Sequence, residues 1–144
     1  MSEQGTLPVS FAGRKWRGRA LRRLRLGRQL ARLSRAEEAR ATGEFCMFVW
    51  HRFRGQFHLA ARYGRASLER YHKCHSSTQW EQQFLHWAML GTTWYTNQLR
   101  ELTRSTLQLR ESARQRSDPM SLFWMHVDTA HWADLVADQP SLAR

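Results

Sequence analysis

Phe45-Cys46-Met47-Phe48-Val49-Trp50-His51-Arg52-Phe53-Arg54-Gly55-Gln56-Phe57-His58-Leu59-Ala60-Ala61, continuing to Tyr71, is the stretch that decides the fold. Phe45, Val49, Phe53, Phe57 and Ala61 recur every fourth residue, and Leu68 and Tyr71 continue the line after Gly64. A step of four stacks side chains on one face of an α-helix, whereas a half-buried strand needs alternation with period two. No such alternation competes, so the stretch reads as helix.

Working downstream, Ser76 and Ser77 mark a break. Thr78-Gln79-Trp80-Glu81 then fits a capping box, in which hydroxyl and carboxylate each satisfy a first-turn amide. Trp80, Phe84, Trp87, Gly91, Trp94, Gln98 and Leu102 line one face of the helix that follows, which runs on through Leu109. Ser117-Asp118-Pro119 closes that segment and opens another, with Asp118 as N-cap and Pro119 at the first helical position. Met120, Phe123, Trp124, Val127 and His131 face one way, and Gln139-Pro140 ends the pattern. Upstream, residues 20–41 read as a helix whose apolar line is Leu26, Leu30 and Leu33 among arginines. Gly27 and the crowded cations make it marginal alone, to be firmed by phosphates or a partner. Residues 1–13, with Gly5, Pro8 and Gly13, read as disordered.

The expected fold is therefore all-α, a small Trp-rich bundle of about three helices preceded by a basic arm. Residues 1–43 form the arm, 44–138 the helical domain and 139–144 a tail. Charge supports that division. The chain has 144 residues, with 23 Lys and Arg against 12 Asp and Glu, for a formal net charge of +11. Only Lys15 and Lys73 are lysines. Residues 1–43 carry eleven basic and three acidic residues, a net of +8, and Arg14 to Arg35 contains no acidic residue. With 42% hydrophobic residues, 12% aromatic residues and seven tryptophans, the chain is too apolar for a wholly disordered basic tail. Guanidinium binds phosphate in bidentate fashion and stacks on rings, so a polyanion, above all nucleic acid, is the partner this composition favours.

Two cysteines, Cys46 and Cys74, do not make a disulfide framework and read as reduced thiols. The first thirteen residues lack the charged start and apolar core of a secretory signal. Gln82 to Leu99 is long and uncharged, but its glutamines, threonines and Asn97 make it too polar to span a membrane, and no membrane partner is expected.

Chemistry-bearing patterns are few. There is no Gly-rich phosphate loop, nucleophile elbow or paired zinc-protease histidine, and the carboxylates are scattered, so no enzyme is expected. Metal is the sharper question. Tyr71-His72-Lys73-Cys74-His75 concentrates ligand-type side chains, Cys46 and His51 lie upstream, and His126 and His131 downstream. Structural zinc needs four ligands, normally offered as close pairs, and no Cys-x-x-Cys is present. The expectation is no cofactor, with zinc on Cys46, His51, His126 and His131 as the alternative. Most tryptophans recur at helical spacing and read as core; Trp16, between Lys15 and Arg17, stands apart. The expected nucleic-acid and nuclear-import residues are Arg14, Lys15, Trp16, Arg17, Arg19, Arg22, Arg23, Arg25, Arg28, Arg32 and Arg35.

Cys46-Met47-Phe48-Val49-Trp50-His51 has the pattern C-x-F-x-W-H. It resembles the segment opening the folded half of the bocaparvovirus-type small nonstructural nuclear phosphoprotein, which also follows an Arg-rich arm. Phe123-Trp124-x-His126 and then His131-Trp132-Ala133-Asp134 resemble that family's F-W-H and Y-W-D elements, and Trp80 to Leu90 is loosely similar to a Trp-led helical segment. The family's Cys-x-x-Cys between the two later elements is missing here. The resemblance implies a viral nonstructural accessory protein of the host nucleus. Such a protein supports single-stranded DNA virus genome replication and steers viral mRNA processing through host RNA-processing or replication factors. It also implies phosphorylation at serines beside arginines: Ser34, Ser105 and Ser117. Two other classes fit the residues: a protein-interaction adaptor whose arm serves only import, and a silencing suppressor that binds duplex RNA by shape. A homodimer is compatible with the indole content.

Overall fold

A computed structural model describes residues 14–34, 36–74 and 79–126, the side chains of 14–16, 79, 125 and 126 excepted. Every regular element in it is helical: α1 (Arg14–Leu33), α2 (Glu37–Phe53), α3 (Phe57–Tyr71), α4 (Gln79–Tyr95), α5 (Leu99–Gln115) and α6 (Pro119–His126). The all-α expectation is met. The expected long helices, however, each divide. Residues 20–41 fall into α1 and α2 around Ser34, the Phe45–Tyr71 line into α2 and α3, and the helix after Thr78 into α4 and α5.

Three helix ends, those of α2, α4 and α5, share one device. Gly55 N–H donates to the Arg52 carbonyl (3.0 Å) and Gln56 N–H to the His51 carbonyl (3.0 Å). Asn97 N–H likewise donates to Trp94 (2.9 Å) and Gln98 N–H to Thr93 (3.1 Å), and Ser117 N–H to Arg114 (3.0 Å) and Asp118 N–H to Ala113 (2.9 Å). Gly55, Asn97 and Ser117 have φ of 70°, 58° and 51°. A left-handed residue whose own amide and the next one reach back three and five residues is the Schellman ending, which satisfies carbonyls the helix would orphan. The apolar period runs straight through Gly55 because the next helix starts at once.

The chain divides into two compact units, residues 1–82 and 83–144. In the first, α2 packs against both α1 and α3, most extensively α3. The inner face of α3 is Ala60, Gly64, Ser67 and Tyr71, at i, i+4, i+7 and i+11. Small residues there admit close approach, and the buried Ser67 hydroxyl donates to the Ala41 carbonyl at 2.9 Å. Glu37 joins the elements electrostatically, accepting from Arg70 (2.8 Å) and Arg40 (3.0 Å), and chiefly the Arg70 bond holds its carboxyl below the usual range. Ala20 and Leu24 of α1 enter one cluster with Cys46, Met47 and Trp50, joined by Leu21 and Tyr63. The basic segment expected as an arm ahead of the domain thus contributes a core helix to the first unit.

In the second unit, Leu90 and Leu102 pack with Trp87, Trp94 and Leu109. Trp124 tilts against Trp87 with ring centroids 4.7 Å apart. Asp118 caps α6 as expected: its carboxylate accepts from the Ser121 amide (3.0 Å) and hydroxyl (2.7 Å), which keeps its pKa low. Gln83 Nε2 donates to the same carboxylate at 2.6 Å. The polar run in α4 is accommodated by threonine hydroxyls bonding back to the preceding turn, Thr92 to Ala88 and Thr93 to Met89. Among the described residues no helix is long and apolar enough to cross a membrane. The Thr78 half of the expected capping box lies outside the described residues.

Candidate nucleic-acid interface

On α1 two lines of residues separate. Ala20, Leu24 and Ala31 are buried. Facing away from them, Arg22, Arg25 and Arg32 are exposed, in a row with Gln29 at i, i+3, i+7 and i+10. Ten residues of helix span about 15 Å. Arg17, Arg19 and Arg23 are exposed as well. No carboxylate lies in α1, so the potential of this row is uncompensated from its own element.

Arg28 departs from the group. Its guanidinium turns inward, donating through Nε (3.2 Å) and Nη2 (3.0 Å) to one oxygen of the buried Glu44 carboxylate. It also lies 5.0 Å from the Tyr63 ring centroid. A cation so held fastens α1 to α2 and α3 and is spent on the fold. The side chains of Arg14, Lys15 and Trp16, and Arg35 altogether, are outside the described residues.

A second set of basic side chains was not anticipated from the sequence. His58, Arg62 and Arg65 are exposed on α3 at i, i+4 and i+7, opposite the buried Ala60-Gly64-Ser67 line. At the preceding turn Arg54 is exposed and sits 5.5 Å from the Trp50 ring centroid, beside the half-exposed Phe53. The spacing signal was present, but the apolar line of four through the same segment drew the reading. Exposed arginines suit phosphate contacts, whereas the Trp50 ring, 2% exposed, is closed to a stacking base.

The expected metal ligands are not brought together where they are described. Cys46 is 2% exposed inside the apolar cluster. His51 stacks flat on Tyr63 (5.2 Å, 3°), and its Nδ1 lies 2.7 Å from Gln56 Oε1. Five residues apart on a helix, the two point about 140° away from each other. The His126 side chain and His131 lie outside the described residues, among which no group of three or more His, Cys, Asp or Glu is placed to hold a metal. Neither Cys46 nor Cys74 is in a disulfide. Of the serines, Ser34 is exposed with its hydroxyl donating to the Ala31 carbonyl (2.8 Å), Ser105 is half-buried, and Ser117 is exposed at the left-handed turn. Trp50 is core as expected, but Trp80 is 61% exposed. Comparison with known protein families, curated proteins and solved structures finds no match.

Proposed function

We propose that this chain is a nonenzymatic nucleic-acid-binding regulator that grips polyphosphate through the outer face of α1. The observation that supports the reading is the exposed Arg22-Arg25-Arg32 row on a helix without carboxylates, with Arg17 and Arg23 nearby. Binding through such a row is driven by counterion release, depends steeply on salt and discriminates little between sequences. The α3 arginines Arg62 and Arg65 extend the contact. The C-x-F-x-W-H likeness at Cys46–His51 gives the biological setting: an accessory protein of a small single-stranded DNA virus, acting in the host nucleus on genome replication and viral mRNA processing with host factors.

The test is fluorescence anisotropy of a labelled single-stranded oligonucleotide across a salt series. Arg22→Gln/Arg25→Gln/Arg32→Gln should weaken binding more than tenfold at low salt. It should also flatten the slope of log affinity against log salt by about 2, at about 0.7 per lost phosphate contact. Unchanged affinity and slope would remove α1 as the grip.

A further inference from the structure

Three of the five leucines of α1 stand outside its packed face. Leu26, Leu30 and Leu33 are 55%, 57% and 77% exposed, while the burial of α1 is carried by Ala20, Leu24 and Ala31. Three leucines in line on the outside of a helix already seated by its other face form an apolar surface outside both core clusters of the described residues. Their spacing, four and then three, sets them within an arc of about 60°. Interfacial membrane helices present a wide apolar face, typically with aromatic residues, whereas a narrow line at 4-3 spacing is the seam one helix offers to another. Toward the N-terminus the same line continues into Arg23 and Arg19, with Arg22 on its flank. A parallel second copy of α1 set against this seam would bring arginine against arginine, and an antiparallel one would set Arg19 and Arg23 against Leu33 and Leu30, so neither arrangement suits a homodimer. Complementarity selects the opposite composition.

We infer that the Leu26-Leu30-Leu33 face of α1 docks an acidic amphipathic helix of a partner protein, leucines against leucines and carboxylates against Arg22 and Arg23. The seam is distinct from the phosphate row at Arg25 and Arg32, with Arg22 at the boundary. Arg22 and Arg23 can serve either ligand, so the dependence on the leucines is what separates docking from nucleic-acid binding.

The experiment uses the full chain and a synthetic helix-forming peptide with leucines at 4-3 spacing flanked by glutamates. An equally acidic peptide with alanine in place of leucine, phosphatidylserine vesicles and the labelled oligonucleotide run in parallel. The wild type should bind the leucine peptide at least tenfold more tightly than the alanine peptide. Leu26→Ala/Leu30→Ala/Leu33→Ala should lose that preference while keeping its thermal midpoint and its oligonucleotide affinity. Leu33→Ala alone, at the most exposed position, should lose part of the preference. The inference is overturned if the two peptides bind alike, if both variants bind like wild type, or if the triple variant's midpoint drops. Leucine-dependent capture of vesicles without peptide binding, or a leucine-dependent dimer in sedimentation, would also overturn it. Loss of peptide binding with oligonucleotide binding intact separates failure here from failure of the nucleic-acid reading.

Discussion

Tyr71 shows how one residue reports the packing around it. It is 1% exposed, and its hydroxyl lies 3.3 Å from Thr42 Oγ1 across the α2–α3 interface. Burial pushes the phenol up from its ordinary value of 10.0, and the Thr42 bond only partly opposes that. An unfolded tyrosine ionises first, so the stability this group contributes is complete below about pH 10 and falls away as pH rises through the folded value. An alkaline titration followed by tyrosinate absorbance should show a late phase, beyond the ordinary tyrosine range, that Tyr71→Phe abolishes; a wild-type curve lacking it would contradict the packing. At the same scale, the metal reading turned on two side chains. Nothing in the sequence distance between Cys46 and His51 shows that one is sealed among Ala20, Leu24, Met47 and Trp50 while the other lies flat on Tyr63.

At the scale of elements, helix content was legible and helix number was not. Periodicity identified helix from Phe45 to Leu109 because spacing is a local property, but it misplaced part of the buried faces. Phe53 and Trp80 are 52% and 61% exposed, and α3 buries Ala60, Gly64 and Ser67. The stops were hidden because a Schellman ending consumes only three residues and the next helix can keep the apolar count. Gly55 was a readable cue, since glycine adopts the left-handed conformation without Cβ strain. Asn97 and Ser117 were weaker cues. Asp118-Pro119 was read correctly because capping chemistry is specific to the residues themselves. Ser117 holds φ of 51° with a side chain that disfavours it. Ser117→Gly should therefore stabilise the chain by about 0.5–1 kcal/mol, seen as a thermal midpoint higher by a few degrees. Gly43, buried in α2 where α1 crosses, gives the complementary test. A Cβ there would meet Arg28 Cα at 3.6 Å and Ala31 Cβ at 3.7 Å, ordinary contact distances. Gly43→Ala should gain up to about 1 kcal/mol of helix propensity. A lower midpoint would mean that α1 and α2 lie closer than described.

Across the whole molecule, the largest departure from the sequence reading concerns α1. Charge divides the chain at about residue 43, and that boundary is electrostatic only: two apolar side chains of the basic segment complete the cluster around Trp50. Net charge describes what a segment attracts and says little about where it packs. The exposed half of the candidate site could be read from charge. The inward turn of Arg28 and the α3 row could not, because both depend on how α3 crosses its neighbours. One consequence is practical. Deleting residues 14–35 would strip Ala20 and Leu24 from Cys46, Met47 and Trp50, and so would confuse lost binding with lost folding. Leu24→Ala isolates the structural role. It should cost about 2–4 kcal/mol and accelerate labelling of the Cys46 thiol by an aromatic disulfide reagent, with little effect on the Arg22-Arg25-Arg32 row. Unaltered labelling would mean that α1 does not cover that thiol.

The enclosure of the Arg28–Glu44 pair, at 25% and 9% side-chain exposure, has an outcome for how the protein lets go of what it holds. Electrolyte shields charges that face water far more than charges tucked against protein. Raising ionic strength should therefore peel away a polyphosphate while leaving its helical mount clamped in position, so that capture and discharge can be cycled by buffer alone.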